Sequence, residues 1–324
     1  MLNYEKYMWR CLQLAQLGEY YVAPNPMVGA VLVSADGTVI GEGWHKKYGT
    51  AHAEVNCFAD FESREQDYKT EDTTLFVSLE PCSHYGKTPP CADLIISKGV
   101  KRVVVGCLDP NPLVAGNGIR KLRNAGIDVV TGVLEKECRE LNKRFFCLHE
   151  NHRPYIILKW AQTADGYIDR LRESDGNPLV ISSPVTKQFV HKMRAENMAI
   201  LVGSGTALKD NPKLLNTRWT GRNPIRVLLD RRRRVSKTAR IFSDEAQTIV
   251  YSDNTDWQYV TTDLAKRGIH SVLVEGGAQV LNSVIKSGIY DEIHIEINKE
   301  LMIGEGIEAP LVPISDKVKI TYTV

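Results

Sequence analysis

Two α/β domains in tandem are the architecture this sequence predicts, and three observations predict it. Strand-like apolar runs alternate with helical stretches from Val28 to Leu148, the pattern of a layered α/β sheet. The polar stretch His149-Glu150-Asn151-His152-Arg153-Pro154 ends in proline and interrupts that alternation, which marks a boundary. A second alternation begins at Tyr155. At 324 residues the chain is long enough for two separate cores, expected over 1–148 and 154–324.

Each element follows from its residues. Tyr4 to Leu17 reads as an amphipathic helix ended by Gly18. After the turn Pro24-Asn25-Pro26 come strands at Val28–Ser34 and Val39–Trp44, joined by the hairpin signal Asp36-Gly37. A helix at His52, a buried strand at Thr74–Glu80, a helix after Cys91 and a strand at Val103–Val105 follow. Gly118–Ala125 reads as helix, Asp128–Thr131 as a short strand, and Glu135–Leu148 as one closing helix. Beyond the boundary, strands are expected at Tyr155–Ala161, Ala199–Val202, Ile225–Leu229, Thr248–Tyr251, Ser271–Val274 and Glu292–Ile297. A turn at Asp165-Gly166 and a helix from Ser183 to about Ala195 fall between them.

Composition narrows the class. Hydrophobic content of 43% and charged content of 25% are those of a soluble globular protein. A net charge of +2 gives no general attraction to nucleic acid or membrane, and no run is apolar enough to span a bilayer. Seven cysteines, an odd number without disulfide-scaffold spacing, point to a reducing cytosol. Met1-Leu2-Asn3-Tyr4-Glu5-Lys6 has no apolar signal core, so a cytoplasmic protein is expected.

The chemistry centres on His52-Ala53-Glu54 and on Pro81-Cys82 followed by Cys91. One histidine and two cysteines make three protein ligands, the number that leaves a catalytic zinc its open fourth position. Thiolate and imidazole suit zinc better than magnesium or calcium. Glu54, two residues past the proposed ligand, is placed to move protons on and off a water. The alternative is a pair of buried thiols and a histidine that caps a helix; the conjunction of His-x-Glu with Pro-Cys after a strand favours zinc. Zinc deaminases share this layout, but with two residues between the cysteines. Here eight separate Cys82 from Cys91, which demotes the ordinary cytidine and tRNA-adenosine deaminases.

With that wider spacing the pattern resembles the deaminase half of the bifunctional riboflavin-biosynthesis deaminase/reductases. Pro24-Asn25-Pro26-x-Val28-Gly29, Gly41-x-Gly43-x-His45 and Ser83-His84-x-Gly86-Lys87-Thr88-Pro89-Pro90-Cys91 match as well. The resemblance implies a cytidine-deaminase-like three-layer α/β/α domain. It also implies that Asn25 reads the pyrimidine edge and that His45, His84 and Lys87 bind the ribose phosphate.

The second half has its own signals. Ser271-Val272-Leu273-Val274-Glu275-Gly276-Gly277-Ala278 reads as strand, glycine turn and helix start, where glycine lets a phosphate approach the backbone and free N–H groups bind it. Val202-Gly203-Ser204-Gly205-Thr206 is a second such turn. Neither fits the Gly-x-Gly-x-x-Gly fingerprint, so no Rossmann domain is expected. With Lys159-x-Ala161-x-x-x-Asp165-Gly166, Ile181-x-Ser183-Pro184, Gly205-Thr206-x-x-x-Asp210-Asn211-Pro212-x-Leu214 and Val227-x-x-Asp230, these turns resemble the reductase half of the same family.

That half implies a dihydrofolate-reductase-like α/β fold using NADPH. The implied cofactor contacts are Ala161, Thr206, Asp210 and the turn Gly277, Ala278, Gln279, Val280, Leu281, Asn282 and Ser283. The implied substrate contacts are Lys159, Leu214, Arg218 and Glu275. The sequence departs from the family where Pro178 and Val180 stand at its usual Ser and Trp, and one extra residue separates Leu214 from Arg218. Arg231-Arg232-Arg233-Arg234 can fork a cofactor phosphate, but a solvated turn is the favoured reading of such a run. His149, His152, His191, His270 and His294 lack partners at metal-ligand spacing and read as structural or surface residues.

The expected protein is therefore a cytoplasmic, zinc- and NADPH-dependent bifunctional enzyme of riboflavin biosynthesis acting on pyrimidine ribosyl phosphates, with a dimer or tetramer implied by the resemblance. The weighed alternatives are a nucleoside or nucleic-acid deaminase with a divergent, inactive second domain, and a binding module with a structural zinc. The first would carry a basic, aromatic-lined groove. The second would want a fourth protein ligand and has no use for Glu54.

Overall fold

Side chains that alternate along a strand must find cover on both faces of the sheet, and in this chain they do so twice. The computed structural model describes residues 2–64, 68–84, 89–111, 115–172, 176–312 and 315–323. It forms two compact units, Met1–Asn151 and His152–Val324. Among the described residues no helix is long and apolar enough to cross a membrane.

The first unit runs α1 (Tyr4–Gln16), β1 (Gly29–Val33), β2 (Val39–Trp44), α2 (Ala53–Ser63), β3 (Thr74–Leu79), α3 (Cys91–Lys98), β4 (Arg102–Cys107), α4 (Asn117–Asn124), β5 (Asp128–Thr131), α5 (Glu135–Leu141) and α6 (Lys143–Asn151). Its sheet has the order β2-β1-β3-β4-β5. β1 is antiparallel to both β2 and β3, whereas β3, β4 and β5 are parallel. Ala30 and Leu32 of β1 face a core shared with α2, α3 and α4. Val31 and Val33 face the opposite core, shared with Tyr7, Met8, Cys11 and Leu12 of α1 and Cys138 of α5. Period-two alternation thus builds three layers, helices on both faces of one sheet.

The predicted closing helix is two helices. Asn142 leaves the helical region at φ −108 and ψ 21, and its buried side chain turns to bond the backbone of Met27 instead. The second helix continues through Asn151, so the first three residues of the polar boundary stretch are helical. Solvated polar residues complete a helix end as readily as they begin a linker.

The second unit contains β6 (Tyr155–Thr163), β7 (Tyr167–Asp169), α7 (Pro184–Glu196), β8 (Ala199–Gly203), α8 (Ser204–Asp210), β9 (Ile225–Leu229), β10 (Thr248–Tyr251), α9 (Trp257–Lys266), β11 (Ser271–Val274), α10 (Ala278–Ser287), β12 (Glu292–Asn298), β13 (Ile307–Glu308) and β14 (Val318–Tyr322). Seven strands pair in the order β10-β9-β8-β11-β6-β12-β14, every pair parallel. Buried Val272, Val274, Leu158 and Val227 pack with α9 and α10, while Ile200, Val202 and Leu228 cover the other face with Ala207 of α8. Sequence patterning missed β7, α8, α9, β13 and β14. The Asp256 carboxylate caps α9 by accepting from Gln258 and Tyr259 N–H, a cap signal present in the sequence. β14 is a largely exposed edge strand whose alternation carries little apolar contrast.

Candidate active sites

In the first unit three element ends converge. His52 is the N-cap of α2. α2 lies backbone-close on β2: a Cβ on Gly43 would sit 2.3 Å from the Cys57 nitrogen, so only glycine permits that approach. Cys82 follows β3, and Cys91 opens α3. His52 Nδ1 lies 3.6 Å from Cys82 Sγ and 3.3 Å from Cys91 Sγ, and the three donor atoms lie within 4.8 Å of one another. The Cys91 N–H also donates to Cys82 Sγ at 3.3 Å.

The electrostatics are those of a site that wants a cation. Hydrogen bonding from the Cys91 thiol, then from His52, holds the Cys82 thiol down at about 4 despite its burial. The same sulfur–sulfur contact, with burial, pushes Cys91 up. Two sulfurs this close cannot both be thiolates without a positive charge between them, a conflict that a dication relieves. The donor set of two sulfurs and one imidazole nitrogen fits zinc with an open fourth position. Glu54, on the first turn of α2, is 3% exposed. Desolvation, with the charge on Cys82, raises its carboxyl to about 7.

Supporting residues were not legible in the sequence. Glu80, at the end of β3, is buried and accepts from the N–H groups of Gly116 (3.0 Å), Gly118 (3.0 Å), Asp109 (3.3 Å) and Ile119 (3.3 Å). It ties the strand end that carries Cys82 to the start of α4. Asp109 is raised by burial to about 6, and the charges of His84 and Cys82 act on it. His84 is exposed, and Lys87 lies outside the described residues. His45 is 3% exposed, with Nε2 3.2 Å from Asn25 Nδ2 and Nδ1 3.1 Å from the Ala51 carbonyl. It is therefore enclosed, although the sequence suggested a phosphate contact.

In the second unit the C-terminal ends of adjacent parallel strands β9, β8 and β11 bring three turns together, the position where open parallel sheets bind ligands. The Gly277 N–H donates to Thr206 Oγ1 at 3.1 Å. Gly203 and Gly276 both pack on Val280, where Cβ atoms would come within 2.6 Å and 3.0 Å of it. Neither Gly276 nor Gly277 has a positive φ, so these glycines supply space rather than left-handed backbone. Asp230 accepts from Arg234 and Val235 N–H and folds the arginine run back. Arg234 Nη2 then reaches Ser204 Oγ at 3.2 Å, while Arg233 pairs with Asp253.

Beside these turns lies a buried ionic cluster. Arg194 forks Glu275 at 3.0 and 2.6 Å and donates to the Leu215 carbonyl at 3.0 Å. Burial pushes Glu275 up, but the Arg194 charge and hydrogen bonds more than offset it, so its carboxyl is held below the usual range. Lys159 stands 3.6 Å from Glu296 and is lowered by burial. Glu296 also accepts from Ser182 and Thr323, both at 2.7 Å. Asp210 is paired with Arg172. Ala161 lies on β6 beside Glu296, Leu214 is buried at φ 55, and Arg218 is exposed, its charge acting on His191. Gln279, Leu281, Asn282 and Ser283 lie on α10, where Ser283 Oγ accepts from the Trp257 indole at 2.8 Å. Val180, at the family's Trp position, is 67% exposed.

Residues 1–107 match the cytidine and deoxycytidylate deaminase zinc-binding region, and residues 154–313 match the RibD C-terminal domain. The riboflavin biosynthesis protein RibD of Aquifex aeolicus is 40% identical, over 94% of this chain and 88% of that one. This chain belongs to the RibD family. The RibD of Escherichia coli is 36% identical, covering 92% of this chain and 88% of its own. Among solved structures, the diaminohydroxyphosphoribosylaminopyrimidine deaminase/5-amino-6-(5-phosphoribosylamino)uracil reductase of Thermotoga maritima superposes with a TM-score of 0.85 at 40% identity, covering 94% of this chain and 89% of that one. Acinetobacter baumannii RibD gives a TM-score of 0.84 at 32% identity, covering 94% and 89%. Like its RibD relatives, this chain is a bifunctional riboflavin-biosynthesis enzyme, a deaminase and a reductase. The match spans both units, which disfavours a nucleic-acid deaminase with an inactive second half.

Proposed function

We propose that the first unit hydrolyses the 2-amino group of 2,5-diamino-6-ribosylamino-4(3H)-pyrimidinone 5′-phosphate with zinc held by His52 Nδ1, Cys82 Sγ and Cys91 Sγ. The observation that carries this reading is the three-donor cluster beside the buried Glu54. Zinc in that position supplies Lewis-acid activation of water at neutral pH. Glu54, poised near neutrality, accepts the proton from the attacking water and passes it to the ring nitrogen and the leaving ammonia. Asn25 reads the pyrimidine edge. His84 and Lys87 serve the ribose phosphate.

The second unit then reduces the ribosyl chain to ribityl, with NADPH as the hydride source. The N-terminus of α10 at Gly277, beside Gly205 and Thr206, fits its phosphates. Nothing stands within 4 Å of a Cβ built on Gly205, and one on Gly277 would meet only Thr206 Oγ1, so the helix end is open to close approach. Leu281, Asn282 and Ser283 lie further along the helix. Ala161 and Asp210 complete the cofactor contacts, and Lys159, Leu214, Arg218 and Glu275 take the substrate. Arg194 holds the Glu275 carboxyl below its usual range and fixes the segment that follows Leu214. Incubating the enzyme with the diaminopyrimidine phosphate should release ammonia without NADPH, and the deaminated product should be reduced once NADPH is added. No ammonia release from the metal-loaded enzyme would contradict the order and the substrate.

Contact between Arg234 and Ser204 puts a guanidinium against the glycine turns, which favours a phosphate-reading role over a purely solvated turn. Arg234→Gln should weaken NADPH binding about tenfold and leave NADH binding unchanged, since only NADPH carries the 2′-phosphate. Titration of both nucleotides measures this, and equal losses would place the arginine outside the phosphate site.

A further inference from the structure

His45 is buried among groups that decide its tautomer. A carbonyl can only accept, so the 3.1 Å contact with the Ala51 oxygen fixes the proton on Nδ1. On its other side, Nε2 faces the Asn25 Nδ2 at 3.2 Å; an amide NH2 only donates, so Nε2 is the acceptor of that pair. Oδ1 is turned the other way.

The loop is clamped a second time. Asn142, 4% exposed at the break between α5 and α6, accepts from Met27 N–H and donates to Met27 O, both at 2.8 Å. Ala51 immediately precedes His52, and the two imidazoles sit edge to face with centroids 5.5 Å apart. One ring thus ties the Asn25 loop to the backbone that carries the proposed zinc ligand.

We infer that His45 is a positioning residue whose Nε2 turns the Asn25 amide so that Oδ1 is offered to substrate, selecting an aminopyrimidinone edge that donates hydrogens. This rests on Asn25 reading the pyrimidine edge. It gives His45 a role through Asn25, in place of direct contact with the ribose phosphate. Asn142 holds the same loop in register.

A double-mutant cycle on the full-length, zinc-loaded enzyme tests it, with deamination of the diaminopyrimidine phosphate as the assay. Asn25→Ala and His45→Ala should each raise KM about tenfold or more, with a smaller change in kcat, because a reading group is lost or released. The double variant should be no worse than Asn25→Ala alone. His45→Gln, whose side-chain oxygen can replace Nε2 as acceptor, should restore KM to within about threefold of wild type. Zinc content reports on folding of the first unit; should His45→Ala lose it, Asn142→Ala, which releases the same loop, carries the cycle against Asn25→Ala. Multiplying effects, about a hundredfold in the double variant, would put His45 on the substrate itself and overturn the inference. An unchanged KM in Asn25→Ala would instead remove the reading on which it rests.

Discussion

Glu54→Gln is expected to bind zinc, fold and reduce normally while losing deamination by about 10²-fold or more, the usual scale for general acid–base catalysis. Glu54 is enclosed on the first turn of α2, and its carboxyl is raised to about 7 by desolvation and the neighbouring Cys82 charge. A group poised there can both accept and return a proton at neutral pH. Glutamine keeps the shape and the hydrogen-bonding reach but cannot cycle a proton. The donor cluster consists of His52, Cys82 and Cys91 without Glu54, so metal content should be retained. Ammonia release is the measurement. Release at the wild-type rate would exclude the role.

Gly277→Val should nearly abolish NADPH binding, by about 10²-fold, and leave deamination intact. Gly277 is the N-cap of α10 at φ −63 and ψ 172, a conformation open to any residue. A Cβ there would meet only Thr206 Oγ1 at 3.4 Å, an ordinary contact. The fold therefore tolerates a side chain, and its cost should fall on whatever approaches the turn from outside. Losing a hydrogen bond to a charged phosphate costs about 1.5–3 kcal/mol, the scale of that factor. Nucleotide titration of the folded variant reads it directly. Unchanged affinity would move the cofactor to another turn.

How much of this was visible in the sequence depends on the distance over which each residue acts. His52, Glu54, Cys82 and Cys91 are legible because each sits at the end of a local element, where the hydrophobic period changes and a turn residue intervenes. The glycine turns are legible for the same reason, although the glycines at 203 and 276 serve to admit Val280. Residues that brace the sites act across the chain. Asn142 and Met27 are 115 residues apart, Glu80 and Gly116 are 36 apart, and Arg194 and Glu275 are 81 apart. Nothing in local spacing pairs them. The same holds for His45, whose motif suggested a ligand contact but whose burial is a tertiary fact. The helix break at Asn142 was missed because its side chain trades helical continuity for two bonds to a distant loop.

Metal analysis of the wild-type chain beside Cys91→Ser tests the central claim most directly, because Cys91 opens α3 and contributes one of only three proposed donors. The expected result is one zinc per wild-type chain and its loss from the variant. Ammonia release should vanish with it, while NADPH-dependent reduction of the deaminated substrate persists. A wild-type chain that deaminates at full rate without zinc, or a Cys91→Ser chain that keeps both zinc and ammonia release, would contradict it.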